Sequence, residues 1–232
     1  MQIKGIDVSH WNGCIDFNKV KASGIDFVII KAGGSDKGFY TDSKFRENYE
    51  KATAAGLYVG AYYFAGKYFR GIEAGVNDAK KFIEILKGLK FDYPVFLDIE
   101  AQENRYKDLI TDAAVAFCEE MEKAGYFVGI YASDISGFKD KLQHERIASY
   151  AHWVARYGNE PKVCKEYGIW QYTSKGSVNG ISGSVDMDIS TVDYAKTIKE
   201  KGFNNFEKTV KIKEKTVEKS QKVKLKSKKS EV

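Results

Sequence analysis

The residues best suited to chemistry are carboxylates near the ends of apolar runs. Tyr93-Pro94-Val95-Phe96-Leu97-Asp98-Ile99-Glu100 enters from a proline, runs through strand-forming residues and ends in Asp-x-Glu. In a strand, residues i and i+2 share a face, which puts the Cα atoms of Asp98 and Glu100 about 6.5–7 Å apart on one side. Two acids at the end of a buried strand are costly unless something uses them. Asp7 lies near the end of a second apolar run, and Asp186 and Asp188 fall in a third. Aromatics gather near the ends of these and other apolar runs, on what would be the same rim: Trp11, Tyr62, Tyr63, Phe64, Tyr131, Trp153, Tyr157, Trp170 and Tyr172. Acids among rings suit a sugar, whose apolar faces stack while its hydroxyls bond to carboxylates. Glycoside hydrolysis needs one protonated carboxyl as general acid and a second carboxylate facing the developing oxocarbenium charge. Crowding acids together supplies the raised pKa. The same cluster also suits a hard cation, so a Mg²⁺-dependent hydrolase is an alternative use of it.

The elements that position these acids repeat. Gly24, Gly56, Gly88 and Gly125 are spaced by 32, 32 and 37 residues, and each precedes an apolar β-rich run. Each stands where a helix would end, a position that favours φ > 0. Phe45, Tyr49 and Ala52 keep helical spacing, as do Val76, Ala79, Phe82, Ile83 and Leu86, and Ile110, Ala114, Phe117 and Met121. Repeated helix–Gly–strand units imply parallel strands joined by crossover helices. The candidate strands are Ile3–Val8, Phe27–Ala32, Tyr58–Phe64, Pro94–Glu100, Phe127–Ser133, Trp153–Tyr157, Ile169–Thr173 and Val185–Ile189. Eight suffice to close a small barrel, with its active site at the C-terminal ends of the strands. The last three are joined by short segments; Val178–Gly183 reads as a turn, so the barrel begins regular and finishes short of helices. An open doubly wound sheet is the alternative.

Composition bounds the rest. The 232 residues are 43% hydrophobic and 14% aromatic, enough for one sizeable core. Residues 208–232 carry ten Lys against three Glu, a net +7 that leaves −2 for everything before them in a chain of total +5. The pI therefore gives no reason to expect nucleic-acid binding. We divide the chain into a domain over 1–200 and a Lys-rich tail over 201–232, a linker or an anchor for anionic polymers. No apolar run is long enough to insert in a membrane. Met1 leads directly into a strand pattern, which predicts no signal peptide and a chain made in the cytoplasm; a secreted chain with its signal removed reads the same. Cys14, Cys118 and Cys164 fit neither a disulfide framework nor a metal pattern. His10, His144 and His152 lack zinc spacing, so no metal or other cofactor is expected.

Taken in order, the motifs resemble glycoside hydrolase family 25 lysozymes. They are Gly5-Ile6-Asp7-Val8-Ser9-His10-Trp11-Asn12-Gly13, Ile15-Asp16-Phe17, Val28-Ile29-Ile30-Lys31-Ala32, Gly60-Ala61-Tyr62-Tyr63-Phe64, Asp98-Ile99-Glu100, Gly129-Ile130-Tyr131, Trp153-Val154-Ala155-Arg156-Tyr157, Trp170-Gln171-Tyr172-Thr173 and Val185-Asp186-Met187-Asp188. The resemblance covers about residues 3–195. It implies an irregular β/α barrel with five helices and an N-acetylmuramidase acting on peptidoglycan glycan strands, of phage endolysin or autolysin type. It further implies Glu100 as general acid and Asp98 as nucleophile or stabiliser, with Asp7 and Asp186 completing the acidic set. Tyr62, Tyr131, Trp153 and Gln171 fall at groove positions, and Lys31 lies near the end of the second strand, where it could pair with the acids. Glu100 is expected to hold a proton near neutral pH while Asp98 stays ionised. Two departures stand out. Ala32-Gly33-Gly34-Ser35 replaces the usual Ala-Thr-Glu-Gly, and Asp188 stands where the family has Asn, on the same strand face as Asp186. A peptidoglycan-binding module without turnover is the non-enzymatic alternative.

Overall fold

The computed structural model describes residues 2–208. Met1 and residues 209–232, most of the span read as a basic tail, lie outside the described residues. Nine strands form one sheet: β1 (Ile3–Val8), β2 (Phe27–Gly34), β3 (Tyr40–Thr41), β4 (Tyr58–Phe64), β5 (Val95–Asp98), β6 (Val128–Ser133), β7 (Ala151–Ala155), β8 (Ile169–Gly176) and β9 (Val185–Ser190). Their order is β1-β9-β8-β7-β6-β5-β4-β2-β3, and a further β1–β2 pairing closes eight of them into a barrel. The two-residue β3, absent from the sequence reading, adds antiparallel to β2 outside the closed ring. Six α-helices lie among the described residues: α1 (Phe17–Ala22), α2 (Phe45–Ala54), α3 (Ile72–Leu86), α4 (Lys107–Lys123), the four-residue α5 (His144–Ile147) and α6 (Tyr194–Lys201).

The first half of the barrel follows the repeating unit. The four junction glycines have φ of 83°, 75°, 79° and 85° in chain order, which reverses the chain out of each helix at no side-chain cost. Helices α2, α3 and α4 bury Phe45 and Ala52, then Ala79, Phe82 and Leu86, then Ile110, Ala114, Phe117 and Met121. These pack on the outward residues of the strands, such as Val28, Ile30, Val59, Ala61, Leu97 and Ile130. Between β7 and β9 there is no helix. The loop around Val178–Gly183 is too short for a crossover, so the chain turns back and β9 runs antiparallel to β8 and to β1. This corrects the expectation of eight parallel strands. It also decides where the acids of β9 lie, because the start of that strand faces the same barrel end as the finish of the others.

The inner face obeys strand alternation. Phe27 and Ile29 on β2, Phe96 on β5, Tyr131 on β6, Trp153 on β7 and Ile169 on β8 form a second apolar cluster inside the barrel. At the end where the strands begin, α6 contributes Tyr194, Ala195 and Ile198 to that cluster. Asn204 follows it, fully buried. Its Nδ2 donates to the carbonyls of Phe91 (3.0 Å) and Tyr93 (2.9 Å), and its Oδ1 accepts from the Phe127 amide at 2.7 Å. One side chain thus satisfies three backbone groups where two strands start.

Asn204→Ala leaves those buried groups without partners and is expected to lower the unfolding free energy by roughly 2–4 kcal/mol. Urea denaturation at constant m-value measures it; an unchanged midpoint would show that water replaces the amide.

Candidate active site

Each strand brings one inward side chain to the open end, and the ladder register levels them. Asp7 on β1 pairs with Asp186 on β9. Gln171 on β8 pairs with Asp188, and Asp98 on β5 lies between Phe64 on β4 and Tyr131 on β6. Tyr131 pairs in turn with Trp153, and Lys31 with Tyr62. A cavity of about 240 Å³ is lined by Asp7, Lys31, Tyr62, Asp98, Glu100, Tyr131, Trp153, Gln171 and Asp186, together with Phe64 and Tyr157. Nine of the ten side chains singled out in the sequence thus surround one space. The tenth, Asp188, lies one inward step deeper and is buried, and its Oδ1 accepts from Trp153 Nε1 at 2.7 Å. Tyr63, also read as a rim aromatic, points the other way and packs among Phe82 and Phe117 under the helices.

The pair at the end of β5 is less regular than an extended strand. The ladder stops at Asp98, and Glu100 lies past it. Asp98 is buried with an unpartnered Oδ1, while Glu100 reaches solvent at the mouth. Burial pushes the Asp98 carboxyl well above its usual range; Glu100's charge adds to this, and Lys31 and Lys141 oppose it. Glu100 is also raised by burial, against the Tyr131 hydroxyl, Lys141 and Lys31. Solvent reaches Glu100, so its rise is the smaller. In the free protein the deeper burial of Asp98 makes its carboxyl the more strongly raised of the two. Burial decides this, and residue type and spacing do not report burial.

On the opposite wall a hydrogen-bond chain fixes Asp7. Gln171 Nε2 donates to Asp7 Oδ2 at 2.8 Å, and Gln171 Oε1 accepts from the hydroxyls of Tyr131 (2.9 Å) and Tyr157 (3.2 Å). Asp7 is raised by burial first, then by the charges of Asp188 and Asp186. Asp186 is raised by burial and by Glu100. Asp188 is pushed up to about 8, mainly by burial, and its Oδ2 is buried without a partner. A neutral carboxyl there has the shape and hydrogen-bonding range of the amide that the sequence comparison led us to expect. Lys31 forms no ion pair among the described residues and instead lies 4.4 Å over the Phe64 ring. The glycines that replace the family's acidic loop have a steric cause. A Cβ at Gly33 would meet the Tyr40 carbonyl at 2.2 Å, and one at Gly34 the Phe64 carbonyl at 2.6 Å.

One residue beside the acids escaped the sequence. Lys141, buried in the connection before α5, donates its ammonium to the Glu100 backbone carbonyl. Burial lowers its pKa, while the charges of Glu100, Asp140 and Asp98 hold it up. No spacing rule links position 141 to position 100. Beside the cavity and sharing Lys31 with it, a groove of about 350 Å³ is lined by residues that include His10, Trp11, Tyr40 and Asp42. Asp42 Oδ2 sits 2.6 Å from His10 Nδ1, and Trp11 stands 81% exposed over the groove. No helix among the described residues is long and apolar enough to cross a membrane.

A closed mixed barrel with carboxylates and aromatics around its open end is an architecture of glycoside hydrolases. The chain belongs to Glycosyl hydrolases family 25, whose family model matches residues 6–181. It is 34% identical to the "Autolytic lysozyme" of Clostridium acetobutylicum over 187 residues, 80% of this chain and 55% of that protein. The chain therefore spans little more than half of that relative. Among solved structures, the CTP1L endolysin superposes with a TM-score of 0.75 at 32% identity, covering 86% of this chain and 70% of that one. The modular autolysin LytC from Streptococcus pneumoniae, in complex with a synthetic peptidoglycan ligand, gives 0.71 at 28%, covering 81% and 46%.

Two predictions rest on these carboxyls. An unfolded aspartate ionises near 3.8 and Asp188 near 8. Between those values the unfolded chain releases a proton that the folded chain keeps, so this group lowers stability as pH rises from about 4 to about 8. Asp188→Asn removes that loss. Its Tm should exceed the wild type's at pH 7–8 and converge with it near pH 4; parallel melting curves at every pH would refute the assignment. Lys141→Met removes a cation that favours ionised Glu100 and should raise the pH at which Glu100 titrates, followed by ¹³C NMR of the labelled carboxyl.

Proposed function

We propose that this chain is a retaining N-acetylmuramidase. It cleaves the β-1,4 bond between N-acetylmuramic acid and N-acetylglucosamine in peptidoglycan, and it acts on the bacterial cell wall. The observation that carries the reading is the pair at the end of β5: a buried Asp98 with an unpartnered Oδ1, overlooked by an exposed Glu100 with a raised pKa. In the free protein the shared proton favours Asp98. An N–H donor arriving on Asp98 Oδ1, as the substrate's N-acetyl group offers, stabilises ionised Asp98 and leaves the proton to Glu100. Glu100 then protonates the glycosidic oxygen as the bond breaks. Asp98 faces the positive charge that develops at the anomeric carbon, either by attacking it or by orienting the acetamido oxygen that does. Glu100, now ionised, takes a proton from the water that completes hydrolysis. Tyr62, Tyr131 and Trp153 form an aromatic wall, and the Trp11 groove extends the site past Lys31.

Glu100→Gln should fall by at least about 10²–10⁴-fold in clearing a wall suspension, the usual loss for a general acid. Mass spectrometry of the wild-type digest should show muramic-acid reducing ends. Glucosamine reducing ends would refute the bond assignment. Binding to walls with no new reducing ends would make the chain a binding module.

A further inference from the structure

On the outside of the barrel wall, away from the acids, three soft donors meet. His152 alternates with inward-facing Trp153 on β7 and so faces outward. Its Nδ1 lies 3.3 Å from the sulfur of Cys164, which sits in the connection before β8. Its Nε2 lies 3.1 Å from the Ile147 carbonyl. That carbonyl can only accept, so the tautomer protonated at Nε2 satisfies it and leaves the Nδ1 lone pair on the side of the sulfur. A ring nitrogen held this way by a backbone carbonyl is the usual support of a metal-ligating histidine. The third member is His144 on α5, whose ring centroid lies 5.4 Å from that of His152. One donor atom from each of the three residues falls within 4.8 Å of the others. His144 Nδ1 is buried with no hydrogen-bond partner. His152 and Cys164 are themselves buried, at 3% and 0% exposure. The glycan cavity uses none of them.

We propose that His144, His152 and Cys164 form a structural site for a zinc ion. Two imidazoles and a thiolate are borderline-soft donors, which suit Zn²⁺ and disfavour Mg²⁺ or Ca²⁺. Tetrahedral zinc with bonds of roughly 2.0–2.3 Å needs its ligands about 3.3–3.8 Å apart. The His152–Cys164 pair already has that spacing, and His144, on a one-turn helix, holds its donor within 4.8 Å of both. On binding, the thiol releases its proton to solvent and the sulfur bonds to the metal. Three protein ligands leave the fourth position to water.

The site lies where a staple has most to hold. From β6 to β8 the only α-helix is the four-residue α5. Asp134 already pins the last connection by accepting from the amides of Lys162 (2.8 Å), Val163 (3.0 Å) and Cys164 (3.0 Å). That fixes the Cys164 backbone, and a metal bond would fix its sulfur to α5 and β7 at once. The spacings of eight and twelve residues match no linear zinc motif, because the ligands come from a helix, a strand and a loop.

Cobalt(II) titration of the untagged, reduced full-length chain tests this, in a Cys14→Ser background because Cys14 is an exposed thiol. The expected result is a near-ultraviolet thiolate-to-cobalt charge-transfer band that saturates at one equivalent and is bleached by zinc, which also raises Tm by several degrees. Cys164→Ser should abolish the band, and His144→Ala should weaken cobalt binding at least tenfold with the circular dichroism spectrum unchanged. No band at tenfold excess cobalt overturns the proposal before any site variant is needed. So does a band that survives Cys164→Ser; the cluster is then a thiol–imidazole packing contact only.

Discussion

The reversal of the last strand governs the architecture. Because β9 runs against both β8 and β1, the barrel closes through two antiparallel ladders, one on either side of that strand. The same reversal presents the start of β9 at the open end. Had the final connection been long enough for a helix, a parallel ninth strand would have carried Asp186 to the far end of the barrel, about four residues' rise from Asp7. The acidic ring is therefore a product of topology as much as of sequence. Its members come from β1, β5 and β9, which only closure brings around one cavity.

That ring is an electrostatic burden the fold carries for its chemistry. Asp7, Asp98 and Asp188 are buried, and like charges at this range oppose ionisation of one another. Only neutral carboxyls and a few donors make the arrangement tolerable: Gln171 on Asp7, Trp153 on Asp188 and the ammonium groups of Lys31 and Lys141 near Asp98. The apolar layer beneath, formed by Phe27, Ile29 and Phe96, supplies stability that the mouth spends. Sites held in this way commonly trade stability for function.

Much of this was legible in the sequence, and the residues that were not show where the limit falls. Alternation placed Asp98 beside Phe96 on one face and Leu97 on the other, and the regular glycine spacing located the strands that hold Lys31, Tyr62 and Tyr131. Strand direction was not legible for β9, because a turn-like segment says that the chain reverses without saying which neighbour it then meets. Tyr63 was misplaced because adjacent tyrosines look equivalent until a strand assigns them opposite faces. The different depths of Asp98 and Glu100 were not legible for another reason: the ladder ends between them, which leaves one buried and the other wet. Lys141, like the His144–His152–Cys164 cluster, joins positions that only the folded wall brings together.

Asn204 seals the barrel end where β5 and β6 begin, whereas the acids crown the end where strands β1 to β8 finish. The described chain therefore leaves from the pole opposite the groove. Lys208, the last described residue, packs beside Gly202 after α6, so the acids and the final turns of the described chain occupy opposite ends of the barrel and share no contacts.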